Sequence, residues 1–413
     1  MATKKRIWLR VLIIVFAALF AIVAILGITF AAVWNNEIST VSSMEKIRDR
    51  NDSHLDGAVY RMNVQGGFYF DDYLENGGAK SDKELISFIT DHITRGLIDM
   101  TIKESDIGCS SFTAQAQNGD RLFGRNYDFA KTNTCITLCD PGDGRYKSFS
   151  TVDLQFVGMD VDKDVEGLMN KITCLAAPFA PLDGMNEKGV SCGIYMTYQG
   201  EETVATDQND PQKPNITSTT MLRMILDYAA NVDEAVALVQ KYNLHDSANT
   251  SYHYMIADAS GKSAILEWVP VNGTDLTDND GTKRELVVTY NTGDQNIGER
   301  EGKSDFQWIT NFILQPDYYE NNDQKPGYDR YEEIYNRLNA TNGIVENESA
   351  AMDILKAVGR RSWKNDDNNG CTVHSVVYNL TQKTVLWVSN ENYGDKSATF
   401  TYSFETGKLE KAA

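Results

Sequence analysis

Short segments with the pattern of β-strands, joined by tight turns, fill the chain from residue 109 onward and constrain its fold more than any other feature. The first two segments, 111–117 and 122–129, flank Asn118-Gly119-Asp120, a sequence typical of β-hairpin turns. Paired helices interrupt the later strands, which predicts an α+β fold with helices covering antiparallel sheet. Further strands are predicted at 152–157, 190–198, 252–258, 264–269, 285–291, 372–379, 384–388 and 399–404, and paired helices at 220–230 with 233–242 and at 330–338 with 349–358.

An amphipathic helix is predicted before this region, over residues 81–99. Ser81 and Glu84 have the spacing of a capping box, which marks the start of a helix. Apolar residues then recur with the helical period and share one face, so residues 60–105 are expected to pack onto the main body. These residues are Leu85, Phe88, Ile89, Ile93 and Leu97.

Residues 11–34 form an apolar stretch of 24 residues without a charge, preceded by a cluster of Lys and Arg. At about 1.5 Å per residue, a helix of this length crosses the roughly 30 Å of hydrocarbon in a bilayer. The basic cluster favours a single-pass protein of the cell membrane, with a cytoplasmic N-terminus and an extracellular body. The alternative is that the apolar stretch is cleaved near Ala31-Ala32-Val33 and the rest of the chain is secreted. The predicted organisation is a cytoplasmic segment 1–10, a transmembrane anchor 11–34, a linker 35–59, a propeptide or small-chain segment 60–108 and a catalytic domain 109–413.

The composition argues against several partners and cofactors. A formal net charge of −19 repels phosphate backbones, so no nucleic-acid partner is expected. The six cysteines form no CxxC pair of the kind that holds zinc, and no cofactor is predicted. Cys135 and Cys139 are close enough in sequence for a disulfide, with buried free thiols as the alternative. Cys371 and His374 would point to opposite faces of one strand, so no metal site is predicted there.

Cys109 is the candidate nucleophile. It follows Gly108 at the start of a predicted strand, where its thiol can attack the preceding carbonyl carbon. If the Gly108–Cys109 bond is cut, Cys109 gains an α-amino group with a reference pKa of about 7.7–8.0. That amine can take the thiol proton without the help of a histidine. The alternative is that Cys109 is an ordinary buried apolar residue.

Two charged residues of the first hairpin support the nucleophile. Pairing across the turn is expected to return Arg125 and Asp128 to Cys109, where the cation lowers the pKa of the thiol and the carboxylate anchors the amine. An exposed ion pair is the alternative. Asn186 lies in the segment 184–189, GMNEKG, and could aim its amide at a developing oxyanion or simply form a tight turn.

These motifs together resemble the choloylglycine hydrolase, or linear amide C–N hydrolase, family of N-terminal-nucleophile hydrolases. That family includes bile salt hydrolases and penicillin V acylases, with acid ceramidase and N-acylethanolamine acid amidase as relatives. The similarity extends over about 66–404 and is carried by the glycine–cysteine start at Cys109, by GRNYDF at 124–129 and by GMNEKG at 184–189. The strand around 372–378 adds to it. The resemblance implies a four-layer αββα fold.

The resemblance also implies roles for single residues. Cys109 would be the nucleophile and, through its amine, the base, with Arg125 and Asp128 in support. Asn186 would be one oxyanion donor, and Asn291, in Thr289-Tyr290-Asn291, the second. A late arginine of the family maps to Arg330, for which a surface position is the alternative. Relatives with a propeptide cut themselves, which here would leave residues 1–108 as a small chain docked on 109–413.

The predicted activity is hydrolysis of a non-peptide amide bond in a small-molecule N-acyl amide, through a thioester. An acyltransferase that uses the same acyl-enzyme, or a non-catalytic binding protein on this fold, is the alternative. Conjugated bile salts, penicillins, fatty N-acyl amides and N-acyl lactones all offer an apolar acyl group beside an amide. The sequence does not choose among them, and it leaves a homo-oligomer open.

Overall fold

The computed structural model describes residues 33–94, 108–198, 210–270, 284–291, 306–316, 324–361 and 370–412, with positions 8, 15–17, 19–21, 96, 208, 318 and 319. None of the helices within this part is long and apolar enough to cross a bilayer. The span predicted at 11–34 lies mostly outside the described residues.

Eight α-helices and nineteen strands are assigned in this part of the chain. The helices are α1 (Asn35–Ser43), α2 (Phe70–Glu75), α3 (Asp82–Ile89), α4 (Gly167–Thr173), α5 (Ser218–Tyr228), α6 (Val232–Val239), α7 (Tyr328–Asn339) and α8 (Glu348–Ala357). The strands are β1 (Glu45–Arg48), β2 (Val59–Gln65), β3 (Gly108–Ala116), β4 (Arg121–Ala130), β5 (Thr134–Asp140), β6 (Ser148–Asp153), β7 (Asp183–Asn186), β8 (Ser191–Met196), β9 (Asn215–Thr217), β10 (Asn243–His245), β11 (Tyr252–Ala257), β12 (Ser263–Pro270), β13 (Arg284–Tyr290), β14 (Trp308–Ile309), β15 (Ile344–Val345), β16 (Gly370–Asn379), β17 (Thr384–Ser389), β18 (Thr399–Ser403) and β19 (Lys408–Lys411).

Two large sheets dominate the fold. The nine-stranded sheet has the order β1-β2-β5-β6-β7-β8-β11-β12-β13. The eight-stranded sheet has the order β14-β3-β4-β16-β17-β18-β19, with β15 paired to β3. Within these sheets the pairs are antiparallel except β2 with β5 and β15 with β3. The predicted mixture of helices and antiparallel sheet is therefore confirmed.

The sheets pack face to face, and the paired helices cover their outer faces. Helices α5 and α6 contact β7, β8 and β11 of the nine-stranded sheet, whereas α7 and α8 contact β3, β4 and β16 of the other. Between the sheets, the rings of Phe149 and Tyr378 meet edge to face with centroids 6.1 Å apart. The contacts thus give four layers in the order helix, sheet, sheet, helix.

The first hairpin forms as predicted. Contacts within the turn itself stabilise it. Gly119 takes a φ of 93°, and the side chain of Asn118 accepts a hydrogen bond from the backbone N–H of Asp120 at 3.1 Å. This turn sets the register of β3 on β4, in which Cys109 lies opposite Tyr127.

Residues before Cys109 are part of the nine-stranded sheet. The sequence predicts a linker over 35–59, but the structure has α1 and β1 there, and Val41 and Met44 are buried. Strand β2 continues the chain and runs parallel to β5 over seven paired positions. Helix α3 begins as predicted at the Ser81 cap and continues as a π-helical turn, Thr90–Thr94. The predicted remainder, 97–99, lies outside the described residues.

Candidate active site

The hairpin of β3 and β4 brings Cys109 and Arg125 together. Cys109 is completely buried, and Nη2 of Arg125 lies 3.5 Å from its Sγ. On the other side of the thiol, the carbonyl oxygen of Ile194 on β8 is 3.7 Å away. The thiol therefore sits between the two sheets, beside a fixed guanidinium group.

Burial controls the protonation of this thiol. Loss of hydration raises the pKa of Cys109 to about 11, because desolvation and the negative charge of Asp128 outweigh the opposing charge of Arg125. In the uncut chain the thiol is therefore neutral at physiological pH. Since the thiolate is the nucleophilic form, a base close to Cys109 is needed for attack.

Arg125 is held by Asp183, which lies on the opposite sheet. Nε of Arg125 donates to Oδ2 of Asp183 at 2.9 Å, and both side chains are fully buried. Asp183 also accepts hydrogen bonds from His374 at 2.8 Å and from the Tyr378 hydroxyl at 2.6 Å. Burial alone would raise the pKa of Asp183, but the charges of His374 and Arg125 and these hydrogen bonds hold that pKa at about 2.

Asp128 lies directly beside the Gly108–Cys109 bond. Its carboxylate accepts a hydrogen bond from the Thr372 hydroxyl at 2.6 Å and is 3.5 Å from Nη1 of Arg330. A Cβ at position 108 would come within 3.0 Å of the Asp128 side chain, so a larger residue would displace that carboxylate. The glycine before the nucleophile therefore allows close packing of the Asp128 side chain against the backbone.

Arg330 joins the site from the first turn of α7. Its Nη1 donates to the carbonyl oxygen of Cys109 at 2.6 Å and to the Ser110 hydroxyl at 2.5 Å. Nη2 donates to Oδ1 of Asn311 at 2.8 Å. The structure therefore places Arg330 against the backbone of the candidate nucleophile and not on an open surface.

Asn311 is a site residue that the sequence analysis missed. Its Oδ1 accepts the backbone N–H of Cys109 at 2.9 Å, and its Nδ2 donates to the carbonyl oxygen of Met196 at 2.8 Å. Asn311 follows β14, which pairs with β3 beside the nucleophile. Thr310 and Asn311 are adjacent in the sequence, but only the pairing of β14 with β3 brings this asparagine to Cys109.

Asn186 does not reach the thiol. Its Nδ2 donates to the carbonyl oxygens of Leu226 and Ala229, which end α5, and its Oδ1 accepts two backbone N–H groups within its own turn. Ile194, which contacts the thiol, is hydrogen-bonded to the backbone of Leu182. Asn186 lies four residues beyond Leu182, which is about 13 Å in an extended strand. The tight-turn interpretation describes Asn186, and its amide is not directed at Cys109.

Asn291 is also placed away from Cys109. Its side chain accepts the backbone N–H of Ser263 at 2.9 Å and donates to the carbonyl oxygen of Gly261 at 2.9 Å. It follows β13, the edge strand of the nine-stranded sheet, three strands from β8. At about 4.8 Å per strand, this separation alone exceeds the reach of a side chain.

The remaining cysteines match the second of the two alternatives, buried free thiols, and not the disulfide. All six are free thiols in the structure, so Cys135 and Cys139 are not bridged. His374 points to Asp183 between the sheets, stacked against the rings of Tyr127 and Trp387. Within the described ranges, no group of three His, Cys, Asp or Glu residues is arranged to hold a metal ion.

An apolar pocket adjoins the thiol. It is an open cleft whose lining is almost entirely apolar. Arg125 and Ile194, which both contact the Cys109 thiol, form part of its wall. The other walls come from Leu85, Ile86, Ile89, Tyr127, Phe156, Val157, Ala176, Phe179, Ala180, Leu182, Met196, Thr219, Ser247, Ala248 and Tyr252.

Replacing Asp183 tests the buried pair. We expect Asp183→Asn to lower the free energy of unfolding by about 3–5 kcal/mol, because Arg125 would keep a buried charge without a counter-ion. The folded-state pKa of Asp183 is depressed, so its stabilisation is complete above its ordinary pKa of 3.8 and is lost as pH falls toward about 2. Urea unfolding from pH 7 to pH 2 measures both effects.

The matched control is Asp233→Asn, which removes an exposed partner of Lys262 and should change stability little. Equal losses in the two variants, or an unchanged acid response in Asp183→Asn, would contradict the assigned role of Asp183.

Comparison with known proteins agrees with this geometry. The model of the linear amide C–N hydrolases, choloylglycine hydrolase family, matches residues 109–277. A bile salt hydrolase/transferase from Clostridium perfringens is 26% identical over 211 residues, which span 48% of this chain and 55% of that protein.

Three solved structures are also similar. A C2A mutant of conjugated bile acid hydrolase from Clostridium perfringens has a TM-score of 0.45 at 14% identity, covering 74% of this chain and 96% of its own. Penicillin V acylase from Agrobacterium tumefaciens has a TM-score of 0.41 at 15% identity. The match covers 73% of this chain and 90% of that one. The Caenorhabditis elegans ortholog of N-acylethanolamine-hydrolyzing acid amidase has a TM-score of 0.38 at 16% identity. The match covers 66% of this chain and 93% of that one. Residues 109–277 therefore resemble the choloylglycine hydrolase family of linear amide C–N hydrolases.

Proposed function

We propose that this protein hydrolyses the amide bond of a small N-acyl amide, with Cys109 as an N-terminal nucleophile. The observation that carries the proposal is the position of the Cys109 thiol, 3.5 Å from the buried guanidinium of Arg125 and next to Ile194, two residues that line an apolar pocket. The helix–sheet–sheet–helix layers support assignment to the N-terminal-nucleophile hydrolase fold. An acyl group in the pocket would place its carbonyl carbon beside the sulfur.

Self-cleavage between Gly108 and Cys109 supplies the base in this proposal. The amine released on Cys109 has a reference pKa of about 7.7–8.0 and is therefore partly neutral at physiological pH. Asn311, which already accepts the N–H of Cys109, and Asp128 would orient it. The buried histidines His253 and His374 are engaged by Glu267 and Asp183, so they serve other contacts.

The proposed reaction is an acyl transfer from the substrate nitrogen to the Cys109 sulfur and then to water. The amine takes the proton of the thiol, the sulfur attacks the carbonyl carbon, and a carbon–sulfur bond forms. Collapse of the tetrahedral intermediate breaks the carbon–nitrogen bond, and the ammonium returns the proton to the leaving nitrogen. Water, deprotonated by the same amine, hydrolyses the thioester and releases the carboxylic acid.

Arg125 contributes electrostatic stabilisation. Its guanidinium faces the sulfur and favours the thiolate over the thiol. The guanidinium also packs over the ring of Tyr195, 4.5 Å from its centroid, which helps to fix its position. Asp183 keeps this group in place while the charge on sulfur changes.

Acyl transfer to an amine is the second candidate activity. The Clostridium perfringens relative is named both a hydrolase and a transferase, and the two reactions share the thioester. We expect the free acid to be the main product, with an amide formed only when an amine acceptor is added. Product analysis by mass spectrometry with and without glycine separates the two, and amide as the main product at low acceptor concentration would favour the transferase.

Anchoring through residues 11–34, with the enzyme outside the cell, remains a prediction, as do secretion as its alternative and assembly into a homo-oligomer.

Replacing the nucleophile tests cleavage and catalysis together. We expect Cys109→Ala to remain one uncut chain and to lose activity by more than about 10³-fold, because both steps use the same sulfur. Cys135→Ala is the matched control, since Cys135 is a buried thiol on β5 and should leave cutting and activity intact. Intact-mass analysis and amide hydrolysis are the readouts. A cut or active Cys109→Ala protein would refute the assignment.

The two asparagines offer a second comparison. We expect Asn311→Ala to lower kcat/KM by about 10²–10³-fold, because the amine of Cys109 would lose the acceptor that orients it. Asn291→Ala should leave kcat/KM within about threefold of the parent, since its amide bonds to the backbone at 261–263, three strands from β8. A larger loss for Asn291→Ala than for Asn311→Ala would reverse the assignment.

A further inference from the structure

We propose that helix α3, which precedes the nucleophile in the chain, forms one wall of the acyl-binding pocket, and that Leu85, Ile86 and Ile89 select the length of an uncharged apolar acyl group. This inference rests on the proposed function and deepens it. It assigns a substrate-binding role to the segment that the sequence presents as a propeptide.

Residues beside the thiol and residues of this helix line the same pocket. Its lining includes Arg125 and Ile194, the two residues that contact the Cys109 sulfur. The same lining includes Leu85, Ile86 and Ile89 of α3. Residues three and four positions apart share a helix face, so Ile89 stands beside both Ile86 and Leu85, and all three line the pocket. Leu85 and Ile89 are only 2% and 3% exposed, so this face is already buried.

The lining determines the kind of acyl group that fits. Arg125 is its single side chain with a permanent charge, and that charge is neutralised by Asp183. A charged acyl tail would lose hydration without gaining a partner, which costs several kcal/mol. An apolar tail gains about 25 cal/mol for each Å² of surface that it buries. The pocket therefore favours neutral aliphatic or aromatic acyl groups.

Several contacts hold α3 against the catalytic body. Its first residue, Asp82, accepts the backbone N–H of Ala248 at 2.7 Å, and Ala248 lines the same pocket. The ring of Phe88 packs against Phe179 with centroids 6.2 Å apart. Upstream, the Tyr73 hydroxyl is 3.2 Å from that of Thr220 on α5. These contacts fix the wall relative to the thiol.

Strand pairing keeps this segment in place after a cut at Gly108–Cys109. Strand β2 is hydrogen-bonded to β5 from Val59↔Thr134 to Gln65↔Asp140, in the interior of the nine-stranded sheet. Cutting the chain at position 108 breaks none of these bonds. The segment would therefore remain as a permanent part of the binding site.

Filling the pocket from α3 tests the proposal. Kinetics with acetyl, octanoyl and dodecanoyl p-nitroanilides would compare the parent with Ile86→Trp and Leu85→Ala. We expect Ile86→Trp to lower the dodecanoyl-to-acetyl ratio of kcat/KM at least tenfold, because the indole occupies the space of the chain end. Leu85→Ala should raise that ratio. Ser87→Trp, on the exposed face of the same helix, is the control and should not change it.

Binding separates this inference from the proposed function. Calorimetry would measure butanamide, octanamide and dodecanamide binding to Cys109→Ala with and without Ile86→Trp. One outcome is that amides bind with an affinity that depends on chain length, that this binding is lost in Ile86→Trp, and that the parent nevertheless hydrolyses no amide. That result would support the proposed pocket and refute the proposed hydrolase. Amide hydrolysis with the same chain-length profile in the parent, Ile86→Trp and Leu85→Ala, all with unchanged melting temperatures, would overturn the role of α3.

Discussion

The buried ion pair between Arg125 and Asp183 is the interaction on which this structure depends. Arg125 belongs to the eight-stranded sheet and Asp183 to the nine-stranded sheet, so their 2.9 Å contact joins the two faces. Neither group can be buried alone, because an isolated charge between sheets costs far more than the few kcal/mol by which a fold is stable. His374 and Tyr378 complete the coordination of the carboxylate. The pair therefore fixes how the sheets face each other at the site.

The same pair gives the thiol of Cys109 its properties. Burial disfavours the thiolate, and Arg125 opposes that effect without overcoming it, so the sulfur keeps its proton until a base is at hand. An amine created on Cys109 itself meets this need during amide hydrolysis, once the Gly108–Cys109 bond is cut. Cleavage would then both release the nucleophile and supply its base. The close packing of Gly108 against Asp128 gives this step a defined geometry.

Local signals predicted the part of the site that the first hairpin builds. The turn after β3 fixes its pairing with β4, so the sequence alone was enough to bring Arg125 to Cys109. Asn291 and Asn311 show where such reasoning stops. Each asparagine follows a strand, but β13 joins the edge of one sheet and β14 joins the other beside β3. Strand order is a long-range property that local pattern does not encode. The parallel pairing of β2 with β5 was missed for the same reason.

The acyl-enzyme provides the most direct measurement of the central claim. The purified protein would be mixed with an octanoyl p-nitroanilide, quenched in acid within milliseconds and mapped by peptide mass spectrometry. The account predicts an octanoyl thioester on a peptide that begins at Cys109, appearing before the free acid and decaying as the acid accumulates. An acyl group on any other residue, or on a Cys109 still joined to Gly108, would contradict it.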